Sequence, residues 1–339
     1  MARSLHLSEF TQKFQALGAK PQHIRRIWRA WLGLGAWECP QANRFPAALE
    51  KELPNIRQEL DSLATFDYRQ SQEIDSVKLI VHLADGEVVE SVLLPRQALC
   101  ISTQVGCAVG CVFCMTGKCG LIRQLSSAEI AAQVVCALKV RPETKKVVFM
   151  GMGEPSHNWK AVTEALEFLG DFAGFAHKQL VVSTVGDIRL FESLLSLPVK
   201  PALALSLHTT DNVKRKALLP NAKDISVEEL LERTLTYAEA TKYPAQIEWT
   251  VIEGVNDTFA EVERLAEIIQ GRYAMVNFIA VNPGPGSTFK RPSQAHIEDM
   301  ITILRKRGIV ATLRDSAAQD IEGGCGQLRA KYIAIEKEE

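Results

Sequence analysis

From residue 99 onward, short apolar runs alternate with longer stretches in which apolar positions recur every three or four residues. Runs at 99–103, 147–150, 180–184, 203–207, 247–252 and 276–281 read as buried strands. The periodic stretches at 128–138, 159–169, 189–195, 227–241, 259–269 and 295–306 read as helices. Six such units call for an α/β fold with a parallel sheet. Without a dinucleotide-binding fingerprint, a barrel or partial barrel is the natural closure. The chain before residue 99 is patterned differently. Ser8 is expected to cap a helix over 9–17 that Gly18 stops, and Pro21 opens a second helix through Leu32. A third stretch, 47–63, is interrupted by Pro54. Alternating strands follow at 77–83 and 88–94, with Asp85-Gly86 as their hairpin turn. The expected division is a helical domain over 1–70 with a role in RNA binding, a hairpin extension over 71–96, and a core over 97–339.

Composition narrows the setting. At 339 residues, 47% hydrophobic, the chain has the make-up of a soluble globular protein, and no apolar run approaches the ~20 residues that cross a bilayer. Its start, Met1-Ala-Arg-Ser-Leu-His, has no signal-peptide core, so a cytoplasmic protein without a membrane partner is expected. Eight cysteines in a reducing compartment point to ligands or catalysts, with Cys39 and Cys136 expected to be simple small side chains. The net charge of −1 leaves nucleic-acid binding to local basic patches. The candidates are Arg25, Arg26 and Arg29; Lys214, Arg215 and Lys216; Lys290 and Arg291; and Arg305, Lys306 and Arg307. Each alone is more often a solvated surface, as Trp28 and Trp31 at helical spacing are more often core.

Cys107, Cys111 and Cys114 form a C-x3-C-x2-C run directly after the first barrel strand. A 4Fe-4S cluster with three protein thiolates leaves one iron open to a ligand. Structural zinc is the alternative, with Cys119 as a fourth thiolate closing the shell. Gly151-Met152-Gly153-Glu154-Pro155 follows the second strand, Ser183 ends the third, Ser206-Leu207-His208 the fourth and Asn282 the sixth. Each is weak alone. Their gathering at the C-terminal ends of the strands, with the cysteines, argues for a polar ligand lying across the barrel mouth. Glu90, in phase with Val88, Val92 and Leu94, is either an edge charge or a group aimed inward.

These motifs resemble the radical S-adenosylmethionine superfamily, and more closely the RlmN/Cfr family of RNA adenosine methyltransferases. The segments that carry the resemblance are 99–107, Cys114-Met-Thr-Gly117, 151–158, Ser206-Leu-His208, Val255-Asn-Asp257 and Asp320-Ile-Glu-Gly-Gly-Cys325-Gly-Gln-Leu328. The resemblance implies a partial (β/α)6 barrel with a small N-terminal helical domain and a β-hairpin extension. It implies a 4Fe-4S cluster on Cys107, Cys111 and Cys114, and S-adenosylmethionine contacts at Gly153, Glu154, Ser183, Ser206, Leu207, His208 and Asn282. Cys325 would be methylated and then carry the carbon to adenine, Cys100 would release the product through a transient disulfide, and Glu90 would be the general base. The implied partners are rRNA or tRNA and an electron donor such as flavodoxin, for a monomeric enzyme. Carbon 2 of adenine stands ahead of carbon 8 as the target. A radical activating enzyme, or a non-catalytic cluster-binding RNA protein, would have no use for Cys100 and Cys325. The family's Arg-x-Thr-Arg-Gly before the last cysteine reads Arg314-Asp-Ser-Ala-Ala318 here, and segments 281–286 and 219–223 also depart, which points to a paralogue.

Overall fold

The computed structural model describes residues 5–38, 44–284, 286–314 and 316–329, so Cys39 lies outside the described residues. Three helices begin the chain: α1 (Leu7–Ala16), α2 (Pro21–Trp31) and α3 (Ala47–Asp61). His6, not Ser8, takes the N-cap of α1, and its N–H donates to Glu9 at 2.6 Å. The Ser8 N–H turns instead to Glu164 at 2.5 Å, which draws the helix start onto the main body. Helix α3 runs through Pro54 without a break. A proline removes one rung of the ladder, and here the burial of Leu49, Ile56 and Leu60 keeps the helix docked on both sides of it. Trp28 and Trp31 are core. The Trp28 ring lies 5.2 Å from Phe14 and 5.1 Å from Phe168, joining the helices to the barrel body by edge-on aromatic packing. Arg25 and Arg29 donate across the same seam to the carbonyls of Asp171 and Phe172, both at 3.1 Å.

Strands β1 (Ala64–Gln70), β2 (Val77–Leu83), β3 (Val88–Leu94) and β4 (Ala98–Cys100) pair antiparallel in that order. The expected hairpin is therefore part of a larger antiparallel unit, which β4 joins to the parallel strands. A small ribbon of β5 (Gln104–Gly106) and β6 (Leu121–Gln124) encloses the cysteine loop and its single-turn helix α4 (Met115–Lys118). After α5 (Ser127–Val140) come β7 (Lys146–Phe149), α6 (Trp159–Phe168), β8 (Leu180–Thr184) and α7 (Ile188–Ser196). The alternation continues with β9 (Ala202–Ser206), α8 (Asn212–Leu218), α9 (Val227–Thr241) and β10 (Ala245–Val251). It ends with α10 (Phe259–Ile269), β11 (Ala274–Ala280), α11 (Gln294–Lys306) and β12 (Val310–Leu313).

Among the described residues one open sheet runs β1-β2-β3-β4-β7-β8-β9-β10-β11-β12, parallel from β4 onward. The α/β fold expected from sequence is present as an unclosed partial barrel. It has one parallel strand more than the six expected. Strand β12 was illegible because it is four residues long and begins on an exposed Val310. The strands sort their side chains by phase. Ile247, Trp249 and Val251 of β10 pack outward against the helices, while Glu248 and Thr250 face the cavity within.

Candidate active site

The cysteine loop is closed by glycine geometry. Gly106 has φ +78°, and a Cβ there would lie 1.9 Å from the Gly120 carbonyl oxygen, so the β5–β6 ribbon closes only with glycine. The Cys107 N–H donates to that carbonyl at 2.9 Å. On the other side, the segment after α8 grips the loop. The Val112 N–H donates to Leu218 O (3.1 Å), and the Asn221 backbone and side chain donate to Val109 O (3.2 Å) and Ala108 O (2.9 Å). Cys107, Cys111 and Cys114 all line one cavity. Burial, with the charges of Glu154 and Cys114, pushes the Cys107 thiol up to about 12. Burial and both neighbouring cysteines hold Cys111 well above the ordinary thiol value. Such crowded thiols suit a cationic iron–sulfur group, which displaces their protons on binding. Cys119 packs against the main core and is not part of the cavity wall, so the loop offers three thiolates rather than four. Cys136 is buried in the core, as expected.

The wall opposite is polar. Gly151 and Gly153 line the cavity, but a Cβ on Gly153 would meet the Gln104 side chain at 2.6 Å, and one on Gly151 the Ile101 carbonyl at 2.7 Å. What these glycines admit in this structure is the segment after β4. Glu154 is buried, and its carboxylate accepts from Ser156 N–H (2.9 Å), Val185 N–H (3.0 Å) and the Thr184 hydroxyl. Ser183 and Ser206 share a hydrogen bond of 3.1 Å. His208 sits at φ +66°, and its Nδ1 accepts the Thr250 N–H at 3.0 Å. Burial and Arg215 push its pKa down to about 3. The ring is thus neutral with its proton on Nε2, a donor. Asn256 of the Val255-Asn-Asp257 motif holds this geometry, donating to the His208 and Thr250 carbonyls at 2.6 and 2.8 Å. The Leu207 side chain points away into the helix-facing core, which leaves only its backbone near the cavity. Asn282 Oδ1 is buried without a partner among the described residues, an acceptor aimed at a ligand.

The third wall comes from the end of the chain. Asn282 Nδ2 donates to the Cys325 carbonyl (3.1 Å) and to Ser316 (2.7 Å). The Met115 N–H donates to Gly326 O (2.8 Å) and the Thr116 hydroxyl to Leu328 O (2.7 Å), tying this segment to the cysteine loop. Asp320 anchors its start on Ser71 and Gln72, each at 2.8 Å. The Cys325 sulfur is open to the cavity yet surrounded by protein, which holds its thiol above the ordinary value. Cys100 packs beside Met150, which lines the cavity, and is near enough to feel the charge of Cys325. Burial foremost, then Cys325, pushes it up to about 12. Both cysteines are free thiols, with no disulfide between them. Glu90 does not reach the cavity. It is fully buried, paired with Lys78 at 2.9 Å, and accepts the Arg329 N–H at 2.9 Å. Burial outweighs Lys78 and holds its carboxyl above the usual range. Ala318 stands at φ +60° where the family pattern has glycine, so the left-handed turn is kept with an alanine.

Residues 101–269 match the family model described as the radical SAM superfamily. A "Probable RNA methyltransferase" of Ectopseudomonas mendocina is 50% identical over 98% of this chain and 97% of its own length. One of Thiobacillus denitrificans is 52% identical over 97% and 91%. A crystal structure of a radical SAM methyltransferase from Sphaerobacter thermophilus superposes with a TM-score of 0.83 at 34% identity, covering 96% of this chain and 98% of that one. The chain belongs to the radical SAM superfamily. It is an S-adenosylmethionine-dependent methyltransferase whose cofactors are a 4Fe-4S cluster and S-adenosylmethionine. The three thiols of the loop and the orphaned Asn282 acceptor fit these groups.

Several residues that shape this radical SAM site escaped sequence reasoning. Glu248 lines the cavity, accepting from Asn277 (2.8 Å) and Arg314 (3.1 Å). The signal was a lone carboxylate at alternate phase with Thr250 in an apolar strand. Lys78, fully buried against Glu90, carried the same signal on β2. Arg215, expected on a basic patch, is 4% exposed. Among the described residues no helix is long and apolar enough to cross a membrane.

Proposed function

We propose that this chain methylates a carbon of adenine in rRNA or tRNA, carbon 2 ahead of carbon 8, by the route of the RlmN/Cfr family. The observation that carries the proposal is the proximity of two free thiols from distant parts of the chain, Cys325 in the cavity wall and Cys100 packed beside the wall residue Met150, near enough to feel the charge of Cys325. The RNA methyltransferase names of the relatives support the substrate class. When bound, S-adenosylmethionine supplies the methyl group and, with the cluster, the one-electron chemistry that makes it reactive toward an electron-poor carbon.

The chain's own residues do the rest. Cys107, Cys111 and Cys114 would hold the cluster. Gly153, Glu154, Ser183, Ser206, His208 and Asn282, with the Leu207 backbone, hold S-adenosylmethionine. Asn282 also fixes the Cys325 carbonyl, so the sulfur that receives the methyl group stays turned into the cavity. Once that carbon is bonded to adenine as a one-electron adduct, Glu90 would remove the ring proton while the odd electron passes to an acceptor, which the cluster would supply. Its raised pKa brings it closer to the range of a working base. It is held by Lys78 and Arg329, so the C-terminal segment shifts before it acts. Cys100 then attacks the Cys325 sulfur, giving up the proton that burial keeps on its thiol. The sulfur–carbon bond breaks, the electron pair leaves with the carbon, which takes up a proton, and the disulfide is later reduced by an external thiol.

Cys100→Ala is the test. It should accumulate a covalent protein–RNA adduct through Cys325, dependent on S-adenosylmethionine and reductant and absent from Cys100→Ala/Cys325→Ala. Denaturing gels detect the adduct, and nucleoside mass spectrometry identifies the modified carbon. Normal multiple turnover by Cys100→Ala, without adduct, would remove the thiol pair from the mechanism.

A further inference from the structure

Arg215 is a buried cation without an anionic partner. It lies on α8 at 4% exposure, and Nη2 donates to the carbonyls of Val185 (2.6 Å) and Ser206 (3.4 Å). Both residues line the cavity, so the guanidinium lies directly beneath its floor. Its Nε has no partner, and it forms no ion pair among the described residues. A guanidinium facing only neutral carbonyls in a protein interior is costly and is retained where a negative charge faces it. The groups whose charge would reach Arg215 are the Glu154 carboxylate and, once it holds the cluster, the Cys111 sulfur, both at the cavity. The same helix ends at Leu218, which clamps the cysteine loop together with Asn221 just beyond it. Arg215 is therefore fixed relative to the cluster ligands on two sides.

We infer that Arg215 is the counter-charge of the iron–sulfur cluster, a positioning residue that raises its reduction potential. The reduced cluster carries one more negative charge than the oxidised one, so a fixed cation nearby favours the reduced form. Net charge and burial are among the protein's means of setting such potentials. The inference rests on the cluster alone and not on the methyl acceptor or the roles of Cys100 and Cys325.

The test is a redox titration of the iron-loaded full chain, followed by electron paramagnetic resonance, without RNA. In Arg215→Met the ratio of reduced to oxidised cluster at a fixed potential should fall at least tenfold, about 59 mV for a one-electron couple. Arg215→Lys, which keeps the charge, should stay within about threefold of the parent, well under that tenfold step. A fully loaded Arg215→Met with an unchanged ratio overturns the inference. If Arg215→Met does not load, Arg215→Lys decides: loading with a near-parent ratio supports the counter-charge. A tenfold drop in Arg215→Lys, or its failure to load, overturns it, because the guanidinium's hydrogen-bond fork would then be what matters.

Discussion

The three loop cysteines and the two thiols proposed to react, Cys100 and Cys325, are brought to the site by opposite routes. Cys107, Cys111 and Cys114 share a single loop whose backbone is clamped by Gly120, Leu218 and Asn221. Cys100 ends a short strand, while Cys325 belongs to a segment held by bonds from Asn282, Met115 and Thr116 and by the Lys78–Glu90 pair. The first arrangement is local and survives as long as its loop does. The second exists only when the two ends of the fold are docked. Damage to the loop should therefore abolish the cofactor, whereas damage to the docking should leave the cofactor in place and cost stability or turnover.

The largest expected effect is on the loop. Cys107→Ala should lose its iron completely, while Cys119→Ala, altered outside the cavity wall, should keep it. Iron content and visible absorbance after anaerobic reconstitution measure both. An equal loss in Cys119→Ala would mean that the site is a closed four-thiolate shell.

Next is the buried pair behind the C-terminal segment. Lys78→Met leaves the Glu90 carboxylate buried without its cation and should cost about 3–5 kcal/mol at neutral pH. The sign follows from Glu90, whose folded-state pKa is already raised and rises further without Lys78. The folded chain then keeps a proton that the unfolded chain releases, so the penalty is full above the folded pKa and shrinks as pH falls toward the ordinary carboxylate value. Urea melts at pH 8 and pH 5 should show the gap to the parent protein narrowing in acid. A gap that is constant with pH would separate Lys78 from Glu90.

The smallest effect tests Asn282, which tethers Cys325 and also faces the cavity. Asn282→Ala removes the bonds to Cys325 and Ser316, and a thiol misplaced by about 1 Å should slow turnover roughly a hundredfold with iron content unchanged. Unchanged turnover would show that Cys325 is held by the rest of its segment.

The parallel strands were legible because buried strands leave short apolar runs and their helices leave a period of 3.6. The turn at Asp85-Gly86 was legible because its chemistry is local. The ends were less so. The capping role of His6 depends on Ser8 being drawn to Glu164, and the continuity of α3 past Pro54 depends on what that helix packs against. The glycines of 151–153 read as room for a ligand, while the room is filled by Ile101 and Gln104 from the neighbouring segment.

By itself the sequence determined the three-thiol loop, six of the parallel strands with the helices between them, and the polar positions at the strand ends, because each is written in spacing over a few residues. Only the tertiary structure decided that Cys325 comes near enough to Cys100 for its charge to be felt, that Glu90 is locked to Lys78, and that Arg215 turns inward under the cavity floor. Those outcomes depend on burial and charge between distant segments. Such interactions leave no local period to read, and their strength is set by a dielectric that exists only once the chain has folded.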